Sequence, residues 1–519
     1  MKQIKQSLAV LLSYTLAFMP LHAANLQTDG STQTNLDKAR NDVPVVNIAN
    51  PNAIGLSHNK FKEYNVGKEG LILNNSKDTT VNTQLGGYIF GNSNLTSNAK
   101  VILNEVTSTS RSQLNGYTEV AGERSDLIIA NPNGLSVNGA GFINTSNVTL
   151  TTAKPILNDG RLESLNVLGG DISIDGEGLD AMGPDSTYIY THFLKLNAQI
   201  HAKNLEIKLG KNNIDSTTQQ ITASTNSNEV ALLLDASALG GMYVNRISLV
   251  GTDKGLGVNL PPEVLASTGD ISITNDGNII LNKISAKQNI EVKSLNSDIE
   301  VNGNTYSAND TKLESKNKIL LNNNDLKSKN KIEIISDFII NESTIVAGVN
   351  EDNSLNDIGV LNLTANTITN KGNIQSSDVL SMNAISFKNE NNIVANGELK
   401  IEENDFIINS GLIHSNSNLN IDSKNISNSK DITASNDLYI DATNINTTNG
   451  EISATNVDIK AKVLESDNTN IISLDSMNLN IDNKILNNGL IQTKNILNLT
   501  TDSLINNETI FSVTDMSMY

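Results

Sequence analysis

The amino-acid sequence predicts an all-β chain wound into a parallel β-helix, and three observations carry that expectation. Apolar-x-apolar triplets begin at Leu361, Leu380, Leu399, Leu419, Leu438, Val457, Met477, Leu497 and Met516, spaced by 19, 19, 20, 19, 19, 20, 20 and 19 residues. Aromatic residues make up only 4% of the 519 residues and Trp is absent, whereas Asn supplies about 15%. A globular core of this length would use large rings to fill its centre, but a thin core of Leu, Ile and Val needs few. Within the triplets the apolar residues alternate with period two, which fits a strand and contradicts the 3.6-residue period of a helical repeat.

Residues 1–24 read as a secretory signal peptide. Lys2 and Lys5 precede an apolar stretch over residues 8–19, Pro20 ends it, and the small residues Ala23 and Ala24 offer the cleavage site. A membrane anchor needs roughly 20 apolar residues. This stretch is shorter, and no later segment is long enough to span a bilayer, so Sec-type export into the periplasm is expected.

Residues 25–265 are strand-rich without a fixed period. Two turn clusters stand out, Asn50-Pro51-Asn52-Ala53 and Asn131-Pro132-Asn133-Gly134. Pro presets φ and Asn or Gly supplies the reversal, so each reads as a β-turn after a strand. Around them run Gly55-Leu56-Ser57-His58-Asn59-Lys60-Phe61, Thr83-Gln84-Leu85-Gly86-Gly87, Ile102-Leu103-Asn104-Glu105-Val106, Gly141-Phe142-Ile143-Asn144 and Leu239-Gly240-Gly241-Met242-Tyr243. In this order, over about 235 residues, the series resembles the secretion domain of two-partner secretion exoproteins. That family includes filamentous haemagglutinin, large haemolysins and contact-dependent inhibition proteins.

The resemblance implies a right-handed β-helix with an amino-terminal cap and small extra-helical strands. It also implies recognition by the periplasmic domains of a cognate outer-membrane β-barrel transporter, passage through its pore unfolded, and folding outside the cell. Asn50, Pro51, Asn52, Asn131, Pro132, Asn133 and Gly134 match the motifs that matter for secretion and folding in that family. Many members carry a Cys pair just after the second motif; here Ser136-Val137-Asn138-Gly139-Ala140 stands in its place, and the chain has no Cys.

Residues 266–519 carry the coils of 19–20 residues. Three short strands joined by bends fill one such coil, which must stack on its neighbours about 4.8 Å away to bury its apolar face. Ile426 then Ile432, and Ile445 then Ile452, mark the second and third strands. Asn322-Asn323-Asn324 and Asn487-Asn488-Gly489 suit the corners, since Asn tolerates positive φ and forms amide ladders between coils. The last triplet lies one residue before the end, with no cap sequence after it, which leads us to expect a fragment or truncated product.

Little in the composition supports chemistry. Without Cys there is no thiolate site, and the five His at 22, 58, 192, 201 and 414 are dispersed, so no metal site or cofactor is expected. His58 has no evident catalytic partner in the sequence. Asp422, Asp441 and Asp482 fall at one phase of the repeat, but Lys460 and Thr500 interrupt the row, so a solvated edge is expected rather than a carboxylate active site. The net charge of −19 disfavours nucleic acid as a partner. The expected protein is a non-enzymatic exoprotein, secreted or on the surface of a Gram-negative bacterium, and an adhesin or haemagglutinin-like filament. The alternative is the stalk of a contact-dependent toxin or haemolysin whose effector region lies beyond residue 519.

Overall fold

The computed structural model describes residues 25–223 and 232–519. Among them every regular element is a strand. The chain divides into two compact units, one comprising residues up to His192 with Asn197–Lys203 and Asn212–Thr222, the other Phe193–Leu196, Asn204–Lys211 and Ala223–Tyr519.

The second unit is a parallel β-solenoid with three stacked rows of inward side chains. One row runs Ile247, Ile271, Ile290, Thr311, Ile332, Leu361, Leu380, Leu399, Leu419, Leu438 and Val457, each pairing with the next. A second includes Ile368, Phe387, Ile407, Ile426, Ile445 and Leu464. A third includes Ile374, Ile393, Ile413, Ile432 and Ile452. The triplets read from the sequence therefore mark one face, and the isolated Ile residues mark the other two. Each fully buried Leu or Ile contributes about 1.5–3 kcal/mol, and no single coil could bury its own. Stacking runs unbroken through residues 265 and 266, because Met242 pairs with Val264 and Val264 with Ile284.

Within residues 266–519 one coil is longer than its neighbours. Lys331 pairs with Val360, 29 residues on. The excess is a loop after Thr344–Ala347, closed by a bridge between Val349 and Leu355.

Inside the solenoid, Asn341, Asn370, Asn389, Asn409 and Asn428 form an amide ladder in which each Nδ2 donates to the next Oδ1 at 2.8 Å. All five are buried. A buried amide is tolerated because each coil hands its donor to the next.

The first unit is also a parallel solenoid, with antiparallel strands added outside it. Val46 pairs with Leu73 and Leu73 with Val120 on one face, and Ser57, Ile102, Leu127, Val148 and Thr187 form another. Leu26–Thr28 lies antiparallel on Leu56–Tyr64, and Asn35–Lys38 on Pro44–Asn47, at the amino end. Thr80–Thr83 with Gly87–Phe90 makes a separate hairpin. Lys154–Asn158, Arg161–Asn166, Asn212–Asp215 and Ile221–Ala223 make a four-stranded sheet. Among the described residues four of the five buried aromatic rings lie here, Phe61, Tyr64, Phe142 and Tyr190, with Phe61 and Tyr64 packed edge to face at a centroid distance of 5.0 Å.

Candidate functional site

The two Asn-Pro-Asn turns sit on one sheet face. Leu56–Tyr64, Val101–Val106 and Ser125–Ala130 run parallel, with Leu56 beside Val101 and Val101 beside Asp126, while Lys60, Glu105 and Ala130 align at the far end. The first turn leads into the start of Leu56–Tyr64, whereas the second leaves the end of Ser125–Ala130. The fold thus places them at opposite ends of the face, with about five residues of strand, roughly 16 Å, between. They share no hydrogen-bond partner.

The second turn is built on a buried amide. Asn131 is 0% exposed. Its carbonyl accepts from Gly134 N at 3.0 Å, and its Oδ1 accepts from Asn133 N at 3.0 Å. Its Nδ2 donates to Ser110 O and Ser112 Oγ, both at 2.9 Å, in the preceding coil. Asn133 Nδ2 reaches Ser108 O at 2.7 Å. Pro132 stays exposed. Gly134 has φ of +107° and packs against Arg111, whose guanidinium bridges to Asp171 at 2.9 and 3.1 Å and to Leu135 O at 2.6 Å. The β-turn expected from the sequence forms here.

The first motif folds differently. Its reversal closes from Asn52 O to Gly55 N at 2.9 Å, so it begins at the motif's third residue rather than its first. Gly55 supplies the positive φ of +90°. Pro51 is buried and Asn52 exposed, whereas in the second turn Pro132 is exposed and Asn133 half-buried. Asn52 Oδ1 accepts from Leu56 N at 3.1 Å, while its Nδ2 donates to Gly160 O at 2.6 Å on the hairpin of Lys154–Asn158 and Arg161–Asn166. Asn50 is half-buried and its Oδ1 accepts from Thr96 N at 2.8 Å.

A third turn, missed in the sequence, reproduces the second. Asn92 is buried, its carbonyl accepts from Leu95 N at 3.1 Å, and its Oδ1 accepts from Asn94 N at 3.0 Å. Its Nδ2 donates to Ile48 O and Asn74 O at 2.9 and 3.0 Å, and Asn94 Nδ2 reaches Gln33 O at 2.8 Å. The segment is Asn92-Ser93-Asn94-Leu95. A search for Asn-x-Asn rather than Asn-Pro-Asn would have found it.

His58, for which the sequence shows no catalytic partner, has its Nε2 2.7 Å from Glu105 Oε2 on the adjacent strand. With Asn50, Asn52, Leu157 and Gly160 it lines an open groove of about 570 Å³. The carboxylate row in the second unit also needs correction. Asp422 pairs with Asp441 and Asp441 with Lys460, whose Nζ lies 3.5 Å from the Asp441 carboxylate. It is Asn480, not Asp482, that pairs with Thr500, so Asp482 stands two residues outside the row. Asp482 follows Ile481, a second buried residue two positions beyond Leu479, and it is Leu479 that pairs with Leu499. Among the described residues no group of three or more His, Asp or Glu could hold a metal ion, and no helix is long and apolar enough to cross a membrane. The proposed cleavage residues Ala23 and Ala24 lie outside the described residues.

Residues 24–281 match the family model described as the TPS secretion domain. The chain is similar to the crystal structure of the filamentous hemagglutinin secretion domain, at 34% identity and a TM-score of 0.50, over 60% of this chain and 99% of that one. It is similar to the 16S rRNA endonuclease CdiA of Enterobacter cloacae subsp. cloacae, 45% identical over 321 residues, covering 60% of this chain and 10% of that protein. It is also similar to the tRNA nuclease CdiA of Yersinia mollaretii, 46% identical over 290 residues, covering 54% and 10%. The chain thus spans about a tenth of the length of these curated relatives.

Proposed function

Because the chain belongs to the TPS secretion domain family, we propose that residues 25–265 carry the export information of a large exoprotein. The reader of that information is the set of periplasmic domains of a cognate outer-membrane β-barrel transporter. Residues 1–24 deliver the chain to the periplasm and are removed after Ala23 or Ala24; residues 266–519 extend the secretion domain as a β-helical filament. Proteins with this domain are exported to the surface of Gram-negative bacteria or released.

The observation that carries the division of labour is the second turn. Asn131 is wholly buried, with every polar atom of its amide satisfied, while Pro132 beside it is exposed. Asn131 is the folding anchor, and Pro132 is the residue that faces a partner. Co-expression with the transporter tests this. Asn131→Ala is expected to lose secretion in step with slower refolding of the purified chain. Pro132→Ser is expected to lose secretion while refolding normally. Normal secretion of both variants would refute the reading.

For the filament as a whole we propose surface adhesion. A second reading, the stalk of a contact-dependent toxin, is favoured by the CdiA names of the curated relatives. Inhibition of neighbouring cells that requires sequence beyond Tyr519 would select the toxin stalk. Attachment to cells by the displayed 519-residue chain would select the adhesin.

A further inference from the structure

The hairpin of Thr80–Thr83 and Gly87–Phe90 carries an aromatic pair that the fold does not use. Its inward residues, Val81 and Ile89, pack with Ala39, Val43, Val45 and Ile72. On the outward face Tyr88 is 73% and Phe90 79% exposed. Being two residues apart on one strand, they stand on the same side roughly 7 Å apart. Burying either ring would be favourable, so leaving both in water costs solubility with no gain to the core.

Beside them lies a groove of about 530 Å³ whose other wall is the hairpin of Asn35–Lys38 and Pro44–Asn47. That volume is within the roughly 300–1,000 Å³ typical of small-ligand sites. The wall offers four kinds of polar group: the Asp37 carboxylate, the Lys38 ammonium, which lies 3.9 Å from the Asp42 carboxylate, the Arg40 guanidinium and the Asn47 amide. Among the described residues Arg40 has neither an ion pair nor a side-chain hydrogen bond. Asn47 Oδ1 accepts from Asn74 Nδ2 at 2.8 Å, which leaves its own amide hydrogens free.

We propose that this groove binds a neutral pyranose oligosaccharide. Aromatic faces stack on the apolar C–H faces of sugar rings. An acceptor-only carboxylate, a donor-only guanidinium and an amide that does both match the hydroxyls at the ring edge. The rival occupant is an extended peptide added to the open edge of Gly87–Phe90, which would draw its affinity from main-chain hydrogen bonds. That edge is four residues long, and side chains already occupy two of its carbonyls: Thr83 Oγ1 donates to Gly87 O at 2.8 Å and Asn74 Nδ2 to Phe90 O at 2.9 Å. The site goes beyond export and does not depend on it.

The test uses the purified full chain and an immobilised panel of neutral glycans including cellohexaose, chitohexaose and lacto-N-tetraose, followed by calorimetry with any that bind. Tyr88→Ala and Phe90→Ala are each expected to weaken binding about ten-fold or more, and Arg40→Ala to weaken it several-fold. Tyr439→Ala, an exposed ring elsewhere, should leave it unchanged; circular dichroism checks that all variants fold. No binding to any glycan at millimolar concentration overturns the proposal, as does binding indifferent to Tyr88 and Phe90. Loss of secretion in the ring variants without glycan binding in the parent would assign the rings to a protein partner, and also overturns it.

Discussion

Asn92 and Asn131 occupy the same place in two turns 39 residues apart. Each is buried, accepts from the backbone N–H two residues on through its Oδ1 at 3.0 Å, and donates through Nδ2 to a carbonyl of neighbouring chain at 2.9 Å. In both turns the next residue is exposed, the one after half-buried and the fourth buried. The second and fourth residues differ, Ser93 and Leu95 in one turn, Pro132 and Gly134 in the other. The amide, rather than the proline, is the common element.

Asn131→Ala and Asn92→Ala should therefore each destabilise the chain by about 1–3 kcal/mol, the cost of leaving buried partners unsatisfied. Asn50→Ala removes a half-buried acceptor from Thr96 and should cost less than about 1 kcal/mol. Urea unfolding of the purified chain ranks the three. An Asn50 variant as damaged as the Asn131 variant would show that the first motif is a structural anchor after all.

Gly134 tests the turn from the other side. Its φ of +107° is already unfavourable for a side chain, and an added Cβ would lie 2.7 Å from Asp171 O and collide with the Arg111 guanidinium. Gly87, at φ +65°, has nothing within 4 Å of its Cβ position. Gly134→Ala is expected to cost about 3 kcal/mol or more, combining backbone strain with overpacking, and Gly87→Ala about 1 kcal/mol from strain alone. Equal losses in thermal unfolding would mean that the Arg111 side chain simply moves aside.

How much of this could be read beforehand depends on the range over which each feature is encoded. The face bearing Leu361, Leu380 and Leu399 was legible because each coil repeats the same local pattern. The phase could not be carried upstream past Val360, since the inserted loop after Ala347 makes that coil 29 residues long. The pairing of Arg161–Asn166 with Asn212–Asp215 brings together distant segments and has no local signature. The second turn is marked in the sequence by its proline, a mark that Asn92-Ser93-Asn94 lacks. The same mark misplaces the first reversal, where Pro51 precedes the turn instead of standing inside it. His58 gained Glu105 from another coil, 47 residues away.

The amide ladder should behave as one cooperative unit. Asn389 donates to Asn409 and accepts from Asn370, both at 2.8 Å. Asn389→Ala takes the acceptor from the buried Asn370 Nδ2 and leaves Asn409 Oδ1 only the Gly411 N–H at 3.3 Å, and should cost about 2–4 kcal/mol, more than one isolated hydrogen bond. Hydrogen exchange should quicken first in the coils around 370 and 409. Loss confined to the mutated coil would show that the rungs act independently.

Acid should weaken the charged face of the second unit in a predictable direction. The Lys293 ammonium holds Glu314 below the ordinary carboxylate value, and Lys331 does the same for Glu333, with Lys312 adding to both. A depressed folded value means that the stabilisation is present above the unfolded value, near 4.5, and is lost as pH falls through the folded one. Asp126 works the other way. Burial pushes its value up, so the folded state takes up its proton more readily and its charge is a liability above that range. Replacing Lys293 and Lys331 with Met should flatten the acid limb of stability below the unfolded carboxylate value near 4.5. Asp126→Asn, which keeps an acceptor for Asn147 Nδ2, should raise stability at neutral pH. Urea midpoints across pH check both, and an unchanged acid limb in the lysine variant would place the acid-sensitive carboxylates elsewhere.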